Sequence, residues 1–147
     1  MLGQVKAGEI GIDEAIEKLR HLPFEDLGFA CVDHHRQIRR GFPEVIFCPG
    51  KTTEQIIRIF ESLAARGNNV LATRAEAHVF EELAGTGKFP KARYEKAARA
   101  IVLEQKELEQ SKSVLPIVTA GTADLPVAEE ARVTAEIMGQ RTEIICD

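Results

Sequence analysis

The sequence has no tryptophan, a single tyrosine and only 5% aromatic residues, so any core it builds must rest on aliphatic side chains. Cysteine is scarce as well: Cys31, Cys48 and Cys146 are odd in number and too widely spaced for a zinc knuckle or a CxxC redox pair. This excludes a disulfide scaffold and suits reduced thiols in strands, where cysteine behaves as a small hydrophobe. Long apolar runs are missing, with no window near the ~18 residues of a membrane span. The start, Met1-Leu2-Gly3-Gln4-Val5-Lys6, has no basic segment followed by an apolar one. A cytoplasmic protein with no membrane partner is therefore expected. Positive charge is not in excess either: the net charge is −4 and the isoelectric point about 5.6, which argues against a nucleic-acid partner held on a broad basic surface.

What is present is ordinary globular chemistry, 147 residues with 44% hydrophobic and 29% charged side chains. Ile12, Ala15, Ile16, Leu19 and Leu22 fall at helical spacing, giving an N-terminal helical segment over residues 1–23 that Pro23 stops. Phe29 to Val32 and Glu44 to Cys48 read as strands. Thr52 or Thr53 is placed to cap a helix carrying Ile56, Ile57, Phe60, Leu63 and Ala64 on one face, ended by Gly67-Asn68. A strand over 69–73 and a helix over 76–84 closed by Gly85 follow. Residues 94 to 103 are ambiguous between helix and strand; the Ala100-Ile101-Val102-Leu103 end favours strand. The glycine-free polar stretch 104–113 reads as a linker between an α/β domain, residues 24–103, and a unit at 114–147. That unit runs strand 114–119, tight loop 120–124, helix from Pro126 to Met138 capped by Gly139, and strand 142–147. It reads as a right-handed βαβ unit, the founding piece of a doubly wound parallel sheet, so the fold class is α/β.

Three clusters carry chemistry. Pro49-Gly50-Lys51-Thr52 sits between a strand and a helix, where a phosphate loop would lie, but GxxxxGK[ST] requires glycine where Val45 stands. The weaker reading is an anion held by backbone N–H groups and the Lys51 ammonium; the bland one is a helix cap with a solvated lysine. Asp33-His34-His35-Arg36, with Arg39, Arg40 and Glu44, is the densest polar stretch. Adjacent histidines on a strand face opposite ways and no third ligand has metal-site spacing, so no metal site is assigned. A network of Asp33 or Glu44 with Arg36 or Arg39 either fixes the turn at Gly41-Phe42-Pro43 or forms a polar pocket with Lys51 and Arg74. The anion-binding candidates of the front domain are therefore Arg36, Lys51, Thr52 and Arg74. The third cluster, Ala120-Gly121-Thr122-Ala123-Asp124-Leu125-Pro126, falls at the carboxyl end of a parallel strand and the start of a helix, the crevice where open α/β sheets bind ligands. Gly121 permits close backbone approach and Thr122 offers a hydroxyl. Asp124 either caps the helix or works on a substrate.

The run Ile117 to Ala131, with Thr134-Ala135-Glu136, resembles the start of the PurE-like, flavodoxin-like domain of LarB proteins, relatives of aminoimidazole ribonucleotide carboxylase and of circadian phase modifier proteins. The front half resembles the same family in Asp33, Arg36, Arg39, Gly41, Pro43-Glu44-Val45, Gly50-Lys51-Thr52 and Thr73-Arg74. The resemblance implies a carboxylase-hydrolase acting on nicotinic acid adenine dinucleotide. A cysteine thiolate adds to the pyridinium ring, the resulting enamine-like carbon attacks CO2, and the phosphoanhydride is hydrolysed to AMP and pyridinium-3,5-biscarboxylic acid mononucleotide. That product is a precursor of the nickel-pincer nucleotide of lactate racemase. CO2 is then a co-substrate, no cofactor is tightly bound, a divalent metal such as Mg2+ stays open, and a homo-oligomer is expected.

On this reading Asp124 is the catalytic position of the loop, and Gly121, Thr122, Ala123 and Asp147 bind substrate. Two departures stand out. Related purine carboxylases carry serine immediately before the loop aspartate, where this chain has Ala123, leaving Thr122 to supply the hydroxyl. Family members also continue beyond Asp147 through further strands and the loop bearing the reactive cysteine, which none of Cys31, Cys48 and Cys146 matches. The chain is accordingly expected to be a truncated form, inactive by itself. Two other readings are a regulatory or anion-binding interaction module with a degenerate enzymatic half, and a purine-pathway aminoimidazole ribonucleotide carboxylase; the long front domain argues against the latter.

Overall fold

The structure, a computed structural model, describes residues 2–21, 24–33 and 44–147. The chain opens on a short helix α1 (Leu2–Lys6) and a second helix α2 (Ile12–His21). The apolar spacing of α2 is realised as a helix, and Ala15 is buried, yet Ile12 and Ile16 remain 69% and 45% exposed. A small antiparallel hairpin follows, β1 (Phe24–Asp26) with β2 (Cys31–Asp33), turning at Gly28, whose φ of +84° no side-chain-bearing residue adopts cheaply.

The main sheet has β3 (Val45–Phe47), helix α3 (Thr53–Ala64) and β4 (Val70–Thr73) as a parallel crossover. Helix α4 (Ala77–Gly85) then leads to the antiparallel strands β5 (Arg93–Glu95) and β6 (Ala100–Leu103), giving the order β3-β4-β6-β5. The ambiguous stretch 94–103 is thus two strands joined by a turn. That turn closes through Arg99, whose φ of +49° lies in the left-handed region without a glycine to announce it.

Strands β4 and β6 are buried along their whole length and apolar but for Thr73, the pattern of strands covered on both faces. Their residues alternate between two cores. Val70, Ala72, Ile101 and Leu103 meet Ile56, Phe60 and Leu63 of α3 and Val79 and Leu83 of α4. Leu71, Ala100 and Val102 point the other way.

The second face is covered by the C-terminal unit. There β7 (Val114–Thr119) and β8 (Arg141–Cys146) pair in parallel as a sheet of their own, from Val114 opposite Arg141 to Thr119 opposite Cys146. Helix α5 (Leu125–Ile137) connects them and packs Val133 and Ile137 on Leu71, Ala98, Ala100 and Val102. Arg132 of α5 ties to Glu129 and Glu136 of its own helix and reaches Glu95 of β5 at 3.6 Å. The sheet of β7 and β8 is thinly covered, with Val118 74% and Ile145 49% exposed. No described helix is long and apolar enough to cross a membrane.

The polar stretch after β6 is held in place by one buried amide. Asn69 Oδ1 accepts from the backbone N–H groups of Gln105 and Lys106, both at 2.8 Å, and its Nδ2 donates to the Lys106 carbonyl at 3.0 Å. Gln105 in turn donates to the carbonyls of Ala64 and Asn68 near the end of α3, and Ser111 N–H donates to the Gly139 carbonyl. Asn69→Ala leaves two backbone donors without their acceptor and should cost about 1–3 kcal/mol. Urea unfolding should show a lower midpoint at unchanged slope; a midpoint within error of the wild type would mean that water replaces the amide.

Candidate functional site

Two places at the carboxyl ends of parallel strands gather the residues singled out in the sequence. The first is the turn out of β7. Gly121 has φ +75° and ψ 162°, a conformation that glycine alone takes without strain, and it leads into a single 3-10 turn over Thr122–Asp124 that runs into α5. The Gly121 N–H donates to the Asp147 carbonyl at 3.3 Å, and the Asp147 N–H donates to the Thr119 carbonyl at 3.2 Å. The chain end of β8 is thereby stitched to the glycine turn, so Gly121 and Asp147 lie side by side, with Thr122, Ala123 and Asp124 exposed on the same loop.

Asp124 occupies the cap position of α5, but its side chain makes no capping hydrogen bond. Its carboxylate stands exposed at a helix N-terminus, where a negative charge gains from the macrodipole. Beneath the loop, Thr119 Oγ1 is buried and has no hydrogen-bond partner among the described residues.

The second place lies beyond β3 and β4. Here Thr52 is the helix cap: its hydroxyl oxygen accepts from Gln55 N–H at 3.2 Å, and Gln55 Oε1 accepts from Thr52 N–H at 3.0 Å. This is a reciprocal capping box, and it occupies the Thr52 side chain that sequence reasoning had offered to an anion. Lys51 is free of that duty. It donates from Nζ to the Phe47 carbonyl at 2.6 Å and helps to line a cavity of about 350 Å3 with Cys48, Thr53, Arg74, His78 and Arg99.

Arg74, with φ +52°, stacks its guanidinium 5.4 Å from the Phe47 ring centre and pairs with Glu130 of α5 at 3.3 Å. Arg99 pairs with Glu76, and its carbonyl accepts from Ala75 N–H at 2.7 Å. Arg36, the fourth anion-binding candidate, lies outside the described residues, as do His34, His35, Arg39 and Arg40. Of the acidic candidates nearby, Glu44 accepts from the backbone N–H of Asp33 at 2.7 Å.

Sequence reasoning missed Arg99 and His78. They reach the cavity from a turn and a helix start that are distant along the chain, and nothing local marks them. A larger cavity, about 550 Å3, lies between Arg74, Leu115, Val127 and α5. It is mostly apolar, and its charged residues, Arg74 and Glu130, already pair with each other, so the chemistry points to the smaller one. Among the described residues no three metal-ligating side chains come together.

Cys48 forms part of the cavity wall and is buried, whereas Cys31 and Cys146 are exposed. Burial pushes the Cys48 thiol up from 9.0 to about 11, against a smaller opposing pull from Lys51. The folded protein therefore keeps a proton that the unfolded chain releases first. This contribution to stability is complete below about pH 9 and is lost as pH rises toward about 11. Two results are expected: Cys31 and Cys146 react with a thiol reagent at pH 8 while Cys48 reacts only on unfolding, and Cys48→Ala flattens the alkaline loss of stability. Rapid labelling of Cys48 in the native protein would contradict this.

Two comparisons relate the sequence to known proteins. The family model described as the LarB/PurE-like N-terminal domain matches residues 24–106. An uncharacterized protein of Methanocaldococcus jannaschii is 35% identical over 141 residues, covering 91% of this chain and 54% of that protein. The chain thus spans about half the length of that relative. With more than half of its residues under the family model, the chain belongs to the LarB/PurE-like N-terminal domain family.

Proposed function

We propose that the whole protein is a carboxylase-hydrolase acting on nicotinic acid adenine dinucleotide, and that this chain supplies the first substrate loop of its catalytic half. The observation that carries the reading is the loop at Gly121 to Asp124: a glycine in the left-handed region, an exposed aspartate not spent on capping, and the backbone of Asp147 stitched beside it. This is the carboxyl edge of a parallel strand pair, where α/β sheets take their ligands.

The chemistry proceeds as follows. A cysteine thiolate from outside this chain forms a C–S bond to the pyridinium ring, turning it into an enamine. The nucleophilic ring carbon attacks CO2 and forms a C–C bond. Loss of the proton from that carbon and departure of the thiolate restore the aromatic ring. Water then cleaves the phosphoanhydride, giving AMP and the dicarboxylated mononucleotide, which serves nickel-pincer nucleotide formation for lactate racemase. Asp124 is a substrate-positioning residue, accepting hydrogen bonds from the ribose or orienting the carboxylate region; a carboxylate at this edge is poorly suited to attack the ring itself. Thr122 supplies the loop hydroxyl, since Ala123 has none.

The test is AMP release from nicotinic acid adenine dinucleotide by the full-length protein, followed by chromatography with and without bicarbonate. AMP that appears only with bicarbonate supports the reading. AMP formed at the same rate without it would leave a simple pyrophosphohydrolase, and no AMP at all would remove the substrate.

A further inference from the structure

The cavity beyond β3 and β4 goes beyond the carboxylation reading and does not depend on it. We propose that it is a binding site for a phosphate group, held by Lys51, Arg74 and Arg99 with Thr53 and His78. The charge balance is the first ground. The cavity is lined by Lys51, Arg74 and Arg99 against one carboxylate, Glu76; Arg99 engages Glu76 and Arg74 engages Glu130 of α5, which leaves Lys51 as the cation without a counter-charge among the described residues. Lys51 has no carboxylate within ion-pairing distance among the described residues; its ammonium makes one exposed hydrogen bond, to the Phe47 carbonyl. An ammonium in that state has two donors left over and gains from an anion placed opposite.

The second ground is placement. The cavity stands at the carboxyl ends of two parallel strands, where α3 and α4 begin, and Thr53 Oγ1 and His78 Nε2 meet across it at 3.3 Å. The helix starts add little, since the Gln55 N–H is spent on Thr52 Oγ1 and the Val79 N–H on the Glu76 carbonyl, so the side-chain cations carry the binding. Arg74 and Arg99 both sit at positive φ, +52° and +49°, at the end of β4 and at the turn into β6. The Arg99 carbonyl also accepts from Ala75 N–H, so these two backbone segments are locked to each other at the cavity wall. At about 350 Å3 the space holds a phosphate and a few attached carbons, not a whole dinucleotide.

The shared chemistry of inorganic phosphate and a small phosphate monoester fits this cavity, and calorimetry at fixed ionic strength distinguishes them. The full-length protein is titrated with inorganic phosphate, with glycerol 3-phosphate and with glycerol. Saturable binding of one or both phosphates, and none of glycerol, is expected. Tighter binding of glycerol 3-phosphate would identify a monoester as the natural form, whereas equal or weaker binding would identify the free ion. Lys51→Gln and Arg99→Gln should each weaken phosphate binding about tenfold, the loss of one charge-assisted contact. Their thermal midpoints report that each variant folds, and either one suffices if the other does not. Asp124→Asn, at the other loop, should leave phosphate binding unchanged. The proposal is overturned if phosphate does not bind at millimolar concentration, if both charge variants bind it as the wild type does, or if only Asp124→Asn weakens it.

Discussion

Asp124→Asn in the full-length protein should slow carboxylation and AMP release about ten- to a hundredfold, the loss that follows when one charge-assisted hydrogen bond to substrate is removed. Its thermal midpoint should fall by no more than about 3 °C, the helix-dipole share of the lost charge. Asparagine is as good a cap as aspartate, and here the aspartate side chain makes no capping bond to lose. The two readings of this residue therefore separate in one variant. Normal turnover with unchanged stability would remove Asp124 from the substrate site, and a fall in stability matching the fall in rate would make it structural. The expected pattern is a rate loss far larger than the small change in stability.

Phe60→Ala should have the largest effect on the fold, about 3–5 kcal/mol, because it removes a whole aromatic side chain from a close-packed site. Phe60 is fully buried and meets the Phe89 ring edge-on at a centre distance of 5.3 Å. It stands where α3 crosses the sheet, among residues of β4, α4 and β6, so few neighbours can collapse into the space. For a chain of this size the loss corresponds to a drop in thermal midpoint of roughly 10 °C. A loss under about 1 kcal/mol would mean that α3 shifts to fill the cavity. Lys51 and the capping box sit at the start of the same helix, so phosphate binding should weaken with it only to the extent that the protein unfolds.

The elements that sequence reading placed well are those where one local rule decides. Val70 to Ala72 and Ala100 to Leu103 are apolar throughout, and a cap at Thr52 or Thr53 was legible from residue type, with Thr52 the one that caps. Gly121 was legible for the same reason, since its turn needs a glycine. What escaped depended on partners distant in the chain. No periodicity says that α5 covers the back of the sheet, because Val133 and Ile137 fit any apolar face. The anchoring of residues 105 and 106 rests on one asparagine 36 positions earlier.

The turn at Arg99 lacks the glycine that would have announced it, and this hid both the β5-β6 hairpin and one cation of the cavity. The apolar stripe of α2 was read correctly as a helix, but periodicity carried no information on whether that stripe is covered: Ile12 and Ile16 are exposed. At the site, sequence alone left Asp124 between cap and substrate residue. The choice turns on where one side chain points, which no spacing encodes.

The most direct measurement of the proposed activity follows the carbon itself. The full-length protein is incubated with nicotinic acid adenine dinucleotide and 13C-bicarbonate, and the mononucleotide product is examined by NMR. The account predicts a new labelled carboxylate bonded to the pyridinium ring, formed in step with AMP. An unlabelled mononucleotide, or label that enters only when an aminoimidazole ribonucleotide is supplied instead, would contradict it.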